Sequence, residues 1–148
     1  MYQYILDQLP YKSSFRFVDE ISFAGPDKVV GHYTLRPDAF FYADHFPGNP
    51  VTPGAILTEI MAQIGLVVMG IYLVGEAAGA PSSPVFPLLT SADVSFLRLV
   101  PPGQKLTVIS KKIYFRWDKL KCQVEMQDAT GDPVAKGLFS GMIKKLSK

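Results

Sequence analysis

Between Ala55 and Val74 almost every residue is apolar, and only Thr58, Glu59 and Gln63 break the run. Thr52 followed by Pro53 makes a good helix start, with Thr as N-cap and Pro at the first helical position. The pattern predicts a helix from there to about Val74. Being apolar around nearly its whole circumference, it must be enclosed by the rest of the chain.

Elsewhere the period falls to two. Val29, Gly31, Tyr33 and Leu35 alternate with Val30, His32, Thr34 and Arg36, which predicts a strand with one wet face. With the segment Phe15 to Phe23 and the turn Ala24-Gly-Pro-Asp27 it reads as a hairpin. Three or four more strands are expected near 88–99, 104–117, 119–128 and 133–145. Lys121, Gln123, Glu125 and Gln127 alternate most cleanly with Cys122, Val124 and Met126. Tyr2 to Gln8 suits a short helix, and Gly75 to Pro87 reads as a loop. One buried helix and about six strands predict an α+β domain with antiparallel connections, occupying the whole of 1–148.

Composition narrows the function classes. The chain has 148 residues, 48% hydrophobic and 19% charged, as a globular protein of one domain has. A net charge of +2 is too small to argue for nucleic acid, but it allows an acidic protein partner. The single cysteine, Cys122, reads as a small buried hydrophobe. No basic flank or apolar run marks the N-terminus as a signal peptide. The apolar helix is read as core, because a carboxylate near mid-span costs about 2.5–3.5 kcal/mol on insertion scales. The expectation is a soluble, cytoplasmic protein without a membrane span.

Chemistry concentrates around His45-Phe-Pro-Gly-Asn-Pro-Val-Thr-Pro-Gly54. Three prolines and two glycines in ten residues make a rigid, specifically shaped loop. His45 opens it, whereas His32, the only other histidine, sits among polar strand residues and reads as solvated. Glu59 lies about two turns into an otherwise apolar helix, where desolvation favours the protonated form that a general acid needs. Gln63, four residues on, shares its face. The helix N-terminus at Gly54 offers free N–H groups to a developing negative charge, and Gly54 has no side chain to keep a carbonyl away. A base, an acid and an oxyanion donor are what is needed to take a proton next to a thioester carbonyl while a β-hydroxyl leaves. Two histidines and one cysteine do not make a zinc site. There is no phosphate-loop or dinucleotide glycine pattern. Ser82 and Ser83 have no His or Asp pattern nearby.

The stretch from His45 through Glu59 to Gln63 resembles the β-hydroxyacyl-acyl-carrier-protein dehydratases, whose pattern is His-Phe-Pro-Gly-x-Pro-x-x-Pro-Gly, then Glu, then Ala-Gln. Leu9-Pro10, Phe17-Val-Asp19 and Phe96-Leu-Arg-Leu-Val-Pro-Pro-Gly103 extend the likeness. The resemblance implies a hotdog fold, a curved antiparallel sheet around one long helix. It implies dehydration of (3R)-hydroxyacyl thioesters to trans-2-enoyl thioesters. His45 would be the base, Glu59 the acid and Gly54 N–H the oxyanion donor, with the Val51 carbonyl orienting the imidazole and Gln63 holding Glu59. It further implies a dimer in which His45 of one subunit meets Glu59 of the other, often as a trimer of dimers. The partner would be acyl carrier protein. No cofactor is implied beyond the phosphopantetheine, of carrier protein or coenzyme A, on which the substrate rides. Glu rather than Asp at position 59 favours dehydration without isomerisation.

Three departures bear on acyl length and substrate: Thr52 in place of a larger apolar residue, Tyr11-Lys12 in place of His-Arg, and a long Gly75–Pro87 loop. They admit a polyketide or aryl polyene pathway beside fatty-acid synthesis. Two other readings stand: a hotdog acyl thioesterase, and a catalytically silent hotdog binding subunit. Lys12, Arg98, Arg116, Lys119 and Lys121 are candidates for a basic rim facing an acidic carrier protein, or ordinary solvated charges.

Overall fold

The computed structural model describes residues 2–78 and 85–145. A short helix, α1 (Gln3–Asp7), leads through a tight turn at Ser13–Phe15 to β1 (Glu20–Ala24) and β2 (Lys28–Thr34). A single turn at Phe40–Ala43 and the Pro/Gly loop follow. The central helix then runs as α2 (Gly54–Ala62), a π-helical stretch Gln63–Val68, and α3 (Met69–Ala78). Four long strands complete the chain: β3 (Val85–Phe96), β4 (Lys105–Arg116), β5 (Lys119–Gln127) and β6 (Pro133–Lys145). All six strands form one antiparallel sheet in the order β1-β2-β4-β5-β6-β3. This is the hotdog arrangement, a sheet curved around one helix.

Period-two patterning places the core as expected. Leu106, Val108 and Ser110 of β4 and Leu120, Cys122, Val124 and Met126 of β5 all face the helix and are buried. From Ile60 to Met69 the helix is buried at every position on all sides. Gly54–Glu76 is long and apolar enough to cross a membrane, but 72% of its apolar window is packed inside the fold. The apolar stretch is therefore the core of the sheet's concave face.

Helix and sheet approach closely enough to need glycine. A methyl at Gly65 would lie 2.8 Å from Cγ2 of Val124, and one at Gly31 of β2 would lie 2.7 Å from Cγ2 of Ile64. Ser110 Oγ donates to the Gly65 carbonyl at 2.8 Å inside the π-helical stretch, where the helix ladder is altered.

Several expectations need correction. Thr52 is not the N-cap: Pro53 holds the cap position in an extended conformation, and no side chain caps the helix. Thr52 instead turns its hydroxyl to that of Tyr42, 2.7 Å away, and both residues are buried. A buried tyrosine needs a partner more than a helix end open to solvent needs a cap. The helix continues past Val74 to Ala78, and β3 begins at Val85 rather than 88, which shortens the expected loop from both sides. The remainder of that loop, with Ser82 and Ser83, lies outside the described residues. His32 is half-buried rather than solvated, bonded to Thr107 Oγ1 and Ser22 Oγ at 3.0 Å each. Its burial pushes its pKa down.

Candidate active site

The loop before the helix holds His45 by its own backbone. Val51 N–H donates to the His45 carbonyl at 2.9 Å, and His45 Nδ1 lies 2.8 Å from the Val51 carbonyl. A carbonyl can only accept, so Nδ1 carries a hydrogen and, in the neutral imidazole, Nε2 keeps its lone pair. Between them Phe46 and Asn49 exchange two backbone hydrogen bonds, and Gly48 takes a positive φ of 73° to close the turn. The Phe46 ring stacks on the imidazole at 4.0 Å between centroids. Thr52 N–H, bonded to the Val100 carbonyl at 2.9 Å, ties the loop to the segment after β3.

Two residues past this anchor, the helix begins at Gly54. Among the described residues the Gly54 and Ala55 N–H groups donate to no protein acceptor, as expected of a helix N-terminus. The space above Gly54 is not empty. A methyl there would lie 3.1 Å from the Phe96 ring, so the last residue of β3 packs over the Gly54 Cα. Sequence reasoning missed this contact, since Phe96 was read only as part of a flanking motif.

Glu59 belongs to a second cluster. Gln63, fully buried, accepts from Phe17 N–H at 2.8 Å and donates to the Phe15 carbonyl and to Glu59 Oε2, both at 2.9 Å. The bond from a backbone N–H fixes which end of the amide is oxygen. Both Nε2 hydrogens are then used, and the Glu59 oxygen they reach must be an acceptor. Any proton on Glu59 therefore sits on Oε1.

Beyond the carboxyl lies a cavity of about 200 Å³. It runs between the helix (Ala62, Leu66, Val67) and the β3–β6 pair (Leu88, Leu89, Ile143). Tyr11 lines it beside Glu59 and was not singled out by sequence as a site residue. Burial, followed by the Glu59 carboxylate, pushes the Tyr11 phenol pKa up. A larger groove of about 600 Å³ lies across the sheet, lined by Lys28, Lys111, Lys136 and Glu125 among others, and includes none of the predicted site residues.

The structure thus joins His45 with Val51, and Glu59 with Gln63, but not one pair with the other. Among the described residues no hydrogen bond links His45 to Glu59, and His45 does not line the Glu59 cavity. Of the candidate rim, Arg98 is engaged within the chain, pairing with Asp128 at 2.7 Å and Asp132 at 3.5 Å. Arg116 is exposed and lies over the rings of Tyr114 and Trp117. Cys122 is fully buried, its thiol pushed up to about 11 by burial, which leaves it unreactive. No cluster of three or more potential metal-binding side chains occurs among the described residues.

Comparison with known proteins identifies the family. Residues 9–131 match the FabA-like domain family. The 3-hydroxyacyl-[acyl-carrier-protein] dehydratase FabZ of Rickettsia africae is 29% identical over 144 residues, covering 95% of this chain and 93% of that protein. The bifunctional enzyme LpxC/FabZ of Porphyromonas gingivalis is 35% identical over 134 residues. That match covers 82% of this chain, which spans only 28% of the bifunctional protein. Among solved structures, the dehydratase heterocomplex ApeI:P from Xenorhabdus doucetiae superposes with a TM-score of 0.76 at 14% identity, covering 97% of this chain and 91% of that one. A hypothetical thioesterase from Streptococcus pneumoniae, solved with coenzyme A, gives 0.63 at 14% identity over 87% and 88%. At such identities the structural likeness speaks for the fold alone.

Proposed function

The chain belongs to the FabA-like family, the hotdog-fold dehydratases, and from that premise we propose that it converts 3-hydroxyacyl thioesters on acyl carrier protein to trans-2-enoyl thioesters. The observation that carries this reading is the pair of side chains each held by one polar atom, His45 by Nδ1 and Glu59 by Oε2. His45 has Nε2 free to accept a proton, and Glu59 has Oε1 free to deliver one. In the proposed reaction, His45 Nε2 takes the C2 proton while Gly54 N–H and the helix N-terminus stabilise charge on the thioester oxygen. Glu59 Oε1–H protonates the C3 hydroxyl, the C3–O bond breaks and water leaves. Proton return from His45 to Glu59 resets the site. The acyl chain follows the apolar cavity beyond Glu59.

We place this site between two copies of the chain. β3 is an edge strand of twelve residues, and its Phe86, Leu88, Leu89 and Phe96 are each about half exposed. A long apolar edge of this kind favours pairing with another strand. A homodimer joined there would bring the Phe96 end, and with it His45, toward the partner's acid. The carrier is an acidic partner suited to Lys119 and Arg116, both exposed, and the burial of the apolar helix supports a soluble enzyme, whose place with its carrier would be the cytoplasm.

The test is the absorbance of the conjugated enoyl thioester formed from 3-hydroxyacyl thioesters of short, medium and aromatic acyl type. Wild type should be active, and His45→Ala and Glu59→Gln should each lose about 10²–10⁴-fold in kcat. Release of free thiol from a plain acyl thioester, without enoyl formation, would instead indicate a thioesterase. No turnover of either substrate would indicate a silent subunit.

A further inference from the structure

Among the described residues, Tyr11 and Glu59 are the only polar side chains lining the 200 Å³ cavity; the others that line it are apolar or glycine. Tyr11 is also firmly seated. Its ring packs against the core and, at 6.2 Å, against Phe15, whose own ring meets Phe17 at 5.1 Å. The backbone of that same Phe15–Phe17 segment is clamped by Gln63, the residue that holds Glu59. One buried amide thus fixes the carboxyl and the support of the phenol together. The Tyr11 hydroxyl makes no hydrogen bond among the described residues and is not fully buried, for the one buried polar side-chain atom among them without a partner is Gln8 Oε1.

A phenol and a carboxyl facing one apolar pocket suit a ligand with a single oxygen at that depth and hydrocarbon beyond. We propose that Tyr11 is a positioning residue for the leaving group, its hydroxyl bonding the substrate's 3-oxygen so that this oxygen is held against Glu59 Oε1–H. The inference rests on the dehydratase reading above. As the C3–O bond breaks, its electron pair stays with the oxygen, Glu59 supplies the proton, and Tyr11 O–H donates a hydrogen bond to the nascent water without giving up its own proton. Burial, which raises the pKa of the phenol, keeps it in the donor form this requires.

Tyr11→Phe removes the hydroxyl and keeps the ring. The expected result is a fall in kcat for dehydration of about tenfold. The inhibition constant of a saturated acyl thioester of the same length, which has no 3-oxygen, should stay within about twofold, as should the KM. The thermal midpoint should not change. A variant with wild-type kcat overturns the role of Tyr11 and leaves the dehydratase reading intact. A weakened inhibition constant or a lowered midpoint alongside the lower kcat also overturns it, because Tyr11 would then be packing only. A wild-type protein that dehydrates nothing overturns the dehydratase reading, and this inference with it.

Discussion

Glu59 lies fourteen positions after His45, and unrelated means hold the two. The base sits in a loop closed by bonds between near neighbours, His45 with Val51 and Phe46 with Asn49. The acid sits on a helix and is fixed by Gln63, whose other two bonds reach 46 and 48 residues back to Phe17 and Phe15. One half is set by local covalent stiffness, the other by tertiary structure. Proline and glycine make the loop adopt nearly the same shape wherever it is placed. The acid is correctly posed only once the N-terminal segment has crossed the helix. The two halves can therefore be broken separately, and each break tests how they combine.

The largest effect tests whether the halves come from different chains. His45→Ala and Glu59→Gln should each be nearly inactive alone. In a mixture unfolded and refolded together, about half of the dimers are mixed, and each mixed dimer has one site with both groups intact. Activity should return to about a quarter of the wild-type level. No recovery, with mixed dimers demonstrated by a size tag on one variant, would mean that each chain completes its own site.

How much of this was legible in the sequence follows the same division. The His45 loop, Glu59 and Gln63 were all readable, because local spacing and composition define them, and the Val51 carbonyl was implied by the family resemblance. The strands β4 to β6 were also readable to within a residue or so, since alternation in a half-buried sheet is a local signal, whereas the first strand of the hairpin begins at Glu20 and not at Phe15, where the chain makes a tight turn. The other misreadings involve partners distant in sequence or space. Thr52 fits the role of N-cap until Tyr42 is brought against it. Arg98 looks free until the β5–β6 turn delivers Asp128. Tyr11 reads only as a departure from the family pattern until the cavity forms, and nothing local to Phe96 says that its ring lies over Gly54. The π-helical stretch beginning at Gln63 has no signature in apolar periodicity, because the helix is buried on every side there.

The second effect concerns the acid half. Gln63→Leu is close in volume but leaves the buried Phe17 N–H, the Phe15 carbonyl and Glu59 Oε2 without their partner. An orphaned buried polar group costs about 1–3 kcal/mol, so a loss of roughly 3 kcal/mol is expected for the set, read as a lower urea midpoint at unchanged slope. The kcat should fall as well, by about tenfold or more, since nothing then selects Oε1 for the proton. A variant that loses stability and keeps its kcat would show that Gln63 serves the fold and not the acid.

The smallest effect concerns the base half. Thr52→Val keeps the shape of the side chain and leaves the Tyr42 hydroxyl buried without its 2.7 Å partner, at a cost of about 1–2 kcal/mol. The bonds that orient His45 run through its own loop and through Thr52 N–H, which the substitution leaves in place. The kcat should therefore change less than about threefold, in contrast to Gln63→Leu. Tyr42→Phe combined with Thr52→Val removes both hydroxyls, and replacing both partners of a buried bond by apolar groups is close to neutral. The double variant should thus regain much of the stability lost by Thr52→Val, and the positive coupling in the urea midpoints measures this single bond. If Thr52→Val instead loses activity as steeply as Gln63→Leu, the loop is not self-contained, and the base half depends on its surroundings as much as the acid half does.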